Sequence, residues 1–290
     1  MTLPVFRKEI VGPPVERPAN RRAASIMGSP HLSLWQIRCM QQCPRRFFHN
    51  CVQRARPDFV AATLKFERAI GGAIATHFRR QAKGVTLSVA DLLRAYHRVW
   101  NNAEDADDVP VEFDEGQTAS TLEQLAHEVL TAFLASPTAR PRGWSVIVQT
   151  PLVGTVDPEL PDVLATLDLL DAGREMLMIN FEVATSKKWN PVHAAAAADE
   201  LVLFRHVHHC VTDGLWRILP IRVGFILLRT TGRKPTVQYV PVLEQPGQLD
   251  RILDSIRQGW AAISAGNFPP DPSLDKCMAC PFRSRCPVFS

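Results

Sequence analysis

Four cysteines are divided between the two ends of the chain: Cys43 near the start, and Cys277, Cys280 and Cys286 close to the finish. The last three follow a C-x2-C-x5-C spacing and run into Pro287, while Cys43 opens a Cys-Pro-Arg-Arg-Phe-Phe run. Four gathered thiolates can hold zinc or an iron–sulfur cluster. A ligand set split one and three demands that the termini meet, so the fold must return its last residues to its first helix. One interwoven unit is therefore favoured over independent domains.

The 290 residues suffice for one large domain with a helical annex, or for two small domains sharing a core. The hydrophobic fraction is 46%, and no apolar run approaches the roughly 18–20 residues needed to cross a bilayer. The first thirty residues are rich in Pro and Arg and lack the apolar stretch of a secretory signal, which predicts a flexible arm over 1–30. Seven cysteines without an export signal point to reduced thiols used as ligands in a cytoplasmic protein. A net charge of +4 and a pI near 8.8 permit a nucleic-acid partner without requiring one. Basic clusters stand at Arg45 and Arg46, Arg54 and Arg56, Arg79 and Arg80 with Lys83, and Lys187 with Lys188. Such runs are commonly solvated helix faces.

After the arm, Ser33 can cap a helix that Pro44 interrupts. Apolar periodicity predicts further helices over 60–83, 87–101, 118–134, 191–211 and 246–265. Short β-prone runs predict strands at 144–150, 163–170, 176–183, 222–229 and 237–242. The acidic turn at 104–108 lacks the glycine and terminal Glu of a calcium loop and reads as plain surface. The order implies a mixed α/β core over 141–265, a helical cap over 31–140 and a cysteine segment over 266–290 packed on that cap.

Two carboxylates interrupt apolar strand runs: Asp168 in Ala-Thr-Leu-Asp-Leu-Leu and Glu182 in Met-Ile-Asn-Phe-Glu-Val. An unpaired buried carboxylate costs several kcal/mol, so such residues pair with a cation or face a site. Neighbouring strands would let them share Mg2+ or Mn2+, which favour oxygen ligands. His77 ends the run Gly71-Gly-Ala-Ile-Ala-Thr-His, in which the glycines allow close helix packing.

Gly-x4-His, a strand Asp, a second strand acid, a following helix and the divided cysteines together resemble the PD-(D/E)XK nucleases that carry an iron–sulfur clasp. Within them the chain is most similar to the RecB-like exonucleases of CRISPR adaptation and to helicase–nuclease subunits. The resemblance runs from about residue 33 to the end. It implies that His77, Asp168, Glu182 and the carbonyl of Val183 bind the catalytic metal. It also implies that Cys43, Cys277, Cys280 and Cys286 hold a structural [4Fe-4S] cluster beside a single-stranded DNA channel, with Cys39 as an alternative ligand. DNA would run along Arg45, Arg46 and Arg79, joined by Lys187 and Lys188. Trp35 and Trp189 could stack on bases, with burial in the core as their default. A CRISPR integrase or a helicase subunit would be the protein partner.

The family's signature places a lysine two residues after the second acid, where this chain has Ala184. An ammonium there would orient the attacking water and stabilise charge on the phosphorane, which a methyl group cannot do. The departure reads as a deliberate inactivating substitution, as a natural relative that binds DNA without cutting it, or as a site to which Lys187 or Lys188 reaches back. A later Gln-x3-Tyr motif is replaced by Glu200 and Phe204 at the same spacing.

Overall fold

The computed structural model describes residues 17–102, 109–143, 145–184, 191–212, 214–231 and 233–289. Expectations for residues 1–16, the acidic turn at 104–108, Trp144, Lys187, Lys188 and Trp189 lie outside the described residues.

The chain opens with α1 (Pro18–Met27), β1 (His31–Ser33), α2 (Leu34–Gln42), α3 (Pro44–Phe47) and a π-helical turn, Phe48–Val52. Next come β2 (Val60–Ala61), α4 (Ala62–Gln81), α5 (Val89–Trp100), β3 (Val111–Glu112) and α6 (Ala119–Ala135). Strands β4 (Ser145–Gly154), β5 (Asp162–Ala172) and β6 (Met176–Ala184) lead into α7 (Pro191–Val211) and α8 (Gly214–Ile218). The chain closes with β7 (Ile221–Arg229), β8 (Thr236–Pro241), α9 (Gln248–Ala265) and α10 (Leu274–Met278).

The main sheet runs β1, β5, β6, β7, β8, with β4 also paired to β5; β2 and β3 pair separately. β6 and β7 are parallel, so the chain must cross over between them, and α7 and α8 lie in that connection. Both faces of the sheet are apolar because its strands alternate. On β6, Met176 and Met178 enter one core, whereas Leu177, Ile179, Phe181 and Val183 pack against the other. The first core is closed by Ile37 of α2, Phe204 of α7 and Trp260 of α9. The second is closed by Phe66 and Phe78 of α4, Tyr96 of α5 and Phe133 of α6.

Two expectations change. The helices expected to form a cap over 31–140 divide between the two faces, because a sheet that is apolar on both sides needs cover on both. The arm expected over 1–30 is also corrected within the described residues, since 18–27 form a helix ended by Gly28 at φ 65°. Composition concealed its anchor. Arg17 donates to Asp162 Oδ1 at 2.7 Å, Asn20 donates to Oδ2 at 2.8 Å, and the Asp162 N–H returns a bond to Asn20 Oδ1. Thr155 adds a hydroxyl bond at 2.6 Å. Replacing Asp162 by Ala strands these donors in a buried site and should cost about 3 kcal/mol. Urea unfolding measures it; a loss below about 1 kcal/mol would show that α1 is held by its apolar face alone.

Candidate active site and cysteine cavity

Strands β5 and β6 pair only from Leu169 with Ile179 to Ala172 with Met176. Beyond that point side chains replace the ladder. The Asp168 N–H donates to Asn180 Oδ1 at 3.2 Å, and the Phe181 N–H donates to Asp168 Oδ2 at 2.8 Å. β1 takes the edge that β6 gives up, pairing in parallel with Asp162–Leu164. The alternation of β5 breaks here as well, since Leu167 enters one core and Leu169 the other. Across from Asp168, between the Val148–Leu169 and Thr150–Leu167 pairs, Gln149 adopts φ 53°. Asp168 thus sits where two strands part, with its carboxylate held by a backbone N–H.

Period-two alternation sets Glu182 and Ala184 on the face of β6 that carries Met176 and Met178, toward α7. Burial pushes the Asp168 carboxyl up to about 6; the Phe181 N–H opposes the shift and the charge of Glu200 adds to it. Glu182 is pushed up to about 7 by burial and by the charges of Glu200, Asp168 and Glu67, with the Arg38 guanidinium opposing. Burial also raises Glu67 and Glu200. Arg38 bridges to Glu200 at 2.9 Å and approaches Asp199 at 3.6 Å. Four carboxyls on α4, β5, β6 and α7 therefore share one electrostatic environment with a guanidinium from α2.

Carboxyls driven this far toward neutrality mark a site short of positive charge, and their oxygens suit a hard divalent ion. Among the described residues no three His, Cys, Asp or Glu side chains form a ready ligand set. An ion would have to draw the carboxylates inward.

The structure does not bring His77 to this centre. Its ring is 3% exposed between Phe78 and Phe133, and Nε2 lies 2.8 Å from the carbonyl of Ala139. The α4 residue whose charge acts on Glu182 is Glu67. Ten residues along α4 at a 1.5 Å rise separate the two by about 15 Å. Of the glycines, Gly72 packs closely, since a Cβ there would meet Val99 at 2.7 Å, whereas Gly71 faces open space. The overlooked signal is an acid beside the apolar stripe of Phe66, Ile70 and Ile74.

Ala184 is 7% exposed, and its carbonyl accepts bonds from the N–H and hydroxyl of Thr230. The Val183 side chain turns into the opposite core, leaving only its backbone for the site. Glu200 joins the acidic group, whereas Phe204 is buried in the core.

No disulfide joins any of the seven cysteines, all of which are described. Cys43, Cys277, Cys280 and Cys286 line one cavity of about 380 Å3 together with Arg45, Arg46 and His49. Burial raises the Cys280 thiol, opposed by the Phe282 N–H and Arg46, while Cys43 and Cys286 add to the rise. Cys39 lies alongside, pushed up to about 11 by burial, with Arg46 opposing and Cys43 and Cys280 contributing. The C-terminal segment is docked by specific bonds: Asp58 accepts from the Ser284 N–H at 2.9 Å and donates its own N–H to the carbonyl of Pro281 at 2.7 Å. Arg283 lies over Phe59 at 4.9 Å, and the His49 ring meets Phe282 at 5.7 Å.

Arg46 also lines a neighbouring groove of about 420 Å3 with Trp35, Phe59 and Arg68. Trp35 is 51% exposed there, against its default as a core residue. Arg45 packs over Phe48, and Arg79 bonds Gln149 behind the break in β5.

The family model of the PD-(D/E)XK nuclease superfamily matches residues 31–287. Among solved structures, the chain is similar to a "Putative exonuclease" from Eubacterium rectale, with TM-score 0.56, 9% identity and 89% of each chain covered. The crystal structure of SSO0001 also matches, at 16% identity and TM-score 0.31, over 75% of this chain and 95% of that one. No curated protein matches the chain.

The raised carboxyls set a pH dependence. A folded-state pKa above the unfolded value stabilises the fold when the group is protonated, so that contribution is lost as pH rises through about 6 for Asp168 and about 7 for Glu182. The melting temperature of the metal-stripped protein should fall between about pH 4 and about pH 7 and level off above, and Glu182→Gln should flatten the decline. An unchanged slope in that variant would show that Glu182 ionises normally.

Proposed function

The chain belongs to the PD-(D/E)XK nuclease superfamily, and from that premise we propose that it is a divalent-metal-dependent DNA nuclease of the single-strand exonuclease type whose cutting is held low by Ala184. The observation that carries this reading is that Asp168 and Glu182 lie buried where β5 and β6 part, with the charges of Glu200 and Glu67 acting on Glu182. Asp168 and Glu182 would hold Mg2+ or Mn2+, with the Val183 carbonyl completing the set and Glu67 in the helix position expected of His77. The ion would polarise a phosphoryl oxygen and lower the pKa of bound water. Ala184 contributes neither charge nor proton at the position where the family's lysine would stand.

We read the cysteines as the ligands of an iron–sulfur clasp, which would have to draw them together from their present spacing. Cys43, Cys277, Cys280 and Cys286 share one cavity, and three residues lining it, Arg45, Arg46 and His49, each bury a side-chain nitrogen with no hydrogen-bond partner. The two arginine N–H groups are donors, costly unless something anionic satisfies them, whereas the His49 ring already donates Nδ1–H to Gln53 Oε1 at 2.8 Å. The adjacent groove offers Trp35 for base stacking and Arg46 and Arg68 for phosphate, so binding there should weaken with salt.

A second reading, a DNA-binding or scaffold subunit without cleavage, is favoured by the methyl group at 184. The two diverge in a digestion of end-labelled single-stranded DNA with Mn2+. Ala184→Lys should cut at least about 100-fold faster than the native chain. Silence from both, with metal bound, would favour the scaffold.

Purified without oxygen, the protein should be brown and carry iron and sulfide, and Cys280→Ser should lose most of both. A colourless protein containing one zinc would replace the cluster with a zinc clasp.

A further inference from the structure

We propose that Arg38, reaching in from α2, supplies at the scissile phosphate the positive charge that Ala184 cannot. This rests on the nuclease reading and assigns a catalytic group that the strand motif does not contain.

Three observations place the guanidinium. Its Nη1 lies 2.9 Å from Glu200 Oε1 and its Nη2 3.6 Å from Asp199 Oδ2, so α7 orients the planar fork. Its partner Glu200 lies on α7, which packs on the face of β6 that carries Met176, Met178 and Glu182, and this puts the guanidinium beside the acidic centre. The side chain remains 28% exposed, so an incoming phosphate can reach it.

Its support is rigid. Ser33 and Gln36 form a reciprocal cap at the start of α2, with the Gln36 N–H on Ser33 Oγ at 3.2 Å and the Ser33 N–H on Gln36 Oε1 at 2.8 Å. Ile37 packs so closely on α9 that a Cβ at Gly259 would meet it at 2.8 Å. β1, in register with Asp162–Leu164, delivers the helix to the strand that carries Asp168 four residues later. Position 38 is therefore as firmly set as a strand residue would be.

In the reaction the water oxygen bonds to phosphorus and the bond from phosphorus to the leaving sugar oxygen breaks. The water gives a proton to solvent, and the leaving oxygen takes one from solvent. Arg38 transfers no proton, because its guanidinium stays charged at any working pH. It stabilises the negative charge that builds on the non-bridging oxygens. Cutting should consequently be slower than with a lysine at 184, which could also orient the water.

The experiment compares Mn2+-dependent digestion of end-labelled single-stranded DNA by the native chain, Arg38→Met, Arg38→Lys, Ala184→Lys and the double variant Arg38→Met/Ala184→Lys. Melting temperature and Mn2+ affinity are measured for each. Arg38→Met should lower the native rate at least tenfold with Mn2+ affinity retained, and Arg38→Lys should recover much of it. In the Ala184→Lys background the same Arg38→Met change should matter less than threefold, because the lysine now carries the charge. Equal cutting by the native chain and Arg38→Met overturns the proposal. So does a native chain that is silent while Ala184→Lys cuts, or an equal loss in both backgrounds accompanied by a lower melting temperature, which would mark a purely structural ion pair. Silence from every variant with Mn2+ bound removes the nuclease reading itself.

Discussion

The structure turns on the bonds by which Asp168 and Asn180 stand in for a missing stretch of β-ladder. A continuous sheet would pair β5 with β6 to their ends and leave no room for a charged group. Here the Asp168 carboxylate takes the Phe181 N–H and the Asn180 amide oxygen takes the Asp168 N–H, so the backbone stays satisfied while the strands diverge. The divergence admits β1 along β5 and leaves Glu182 and Ala184, still paired with β7, beyond the last β5–β6 pair. Asp168 thus both shapes the site and belongs to it.

That arrangement has an electrostatic consequence. Glu67, Asp168, Glu182 and Glu200 arrive from four different elements, and burial penalises the ionised form of each. Arg38 offsets part of the charge but stands toward Glu200 rather than between the strand acids. Protonation or a bound cation must supply the rest. A cation would convert an unfavourable cluster of like charges into a ligand set, and the protein's stability would then be linked to its occupancy.

The strands and long helices were readable because hydrophobic periodicity is a local property. Predicted strands at 163–170, 176–183 and 222–229 lie within β5, β6 and β7, and the helix at 191–211 coincides with α7. Asp168 and Glu182 stood out for the same reason, as charges breaking apolar runs. What escaped depended on contacts between distant segments. α1 is held by Arg17 and Asn20 on Asp162, some 140 residues away in sequence. β1, only three residues long, exists because β6 vacates an edge. Arg38 carries no signal in the sequence, since nothing within α2 reveals that β1 steers it toward Glu200. His77 went the opposite way: its glycine spacing matched a motif, yet its ring falls between Phe78 and Phe133, and Glu67, ten residues earlier on α4, is the residue whose charge acts on Glu182.

The two candidate centres are not independent, because α2 joins them. One nine-residue helix, about 13 Å long, carries Trp35 into the groove and Arg38 to the acidic residues, then ends at Cys43 in the thiol cavity. Its start is set by β1 on the sheet, and its end lines the cavity that Cys43 shares with Cys277, Cys280 and Cys286. The backbone also tightens there, since the Cys43 N–H caps the helix on Cys39 and the chain passes through Pro44 into the π-helical turn that meets Phe282. If the cavity is left unfilled, the orphaned nitrogens of Arg45, Arg46 and His49 favour solvent entry and loosening of that end. Loosening there would first disturb the groove that Arg46 shares, and then the angle from which Arg38 meets Glu200. A clasp at that cavity, were one bound, would in this way act on the distant acidic residues through a single short helix.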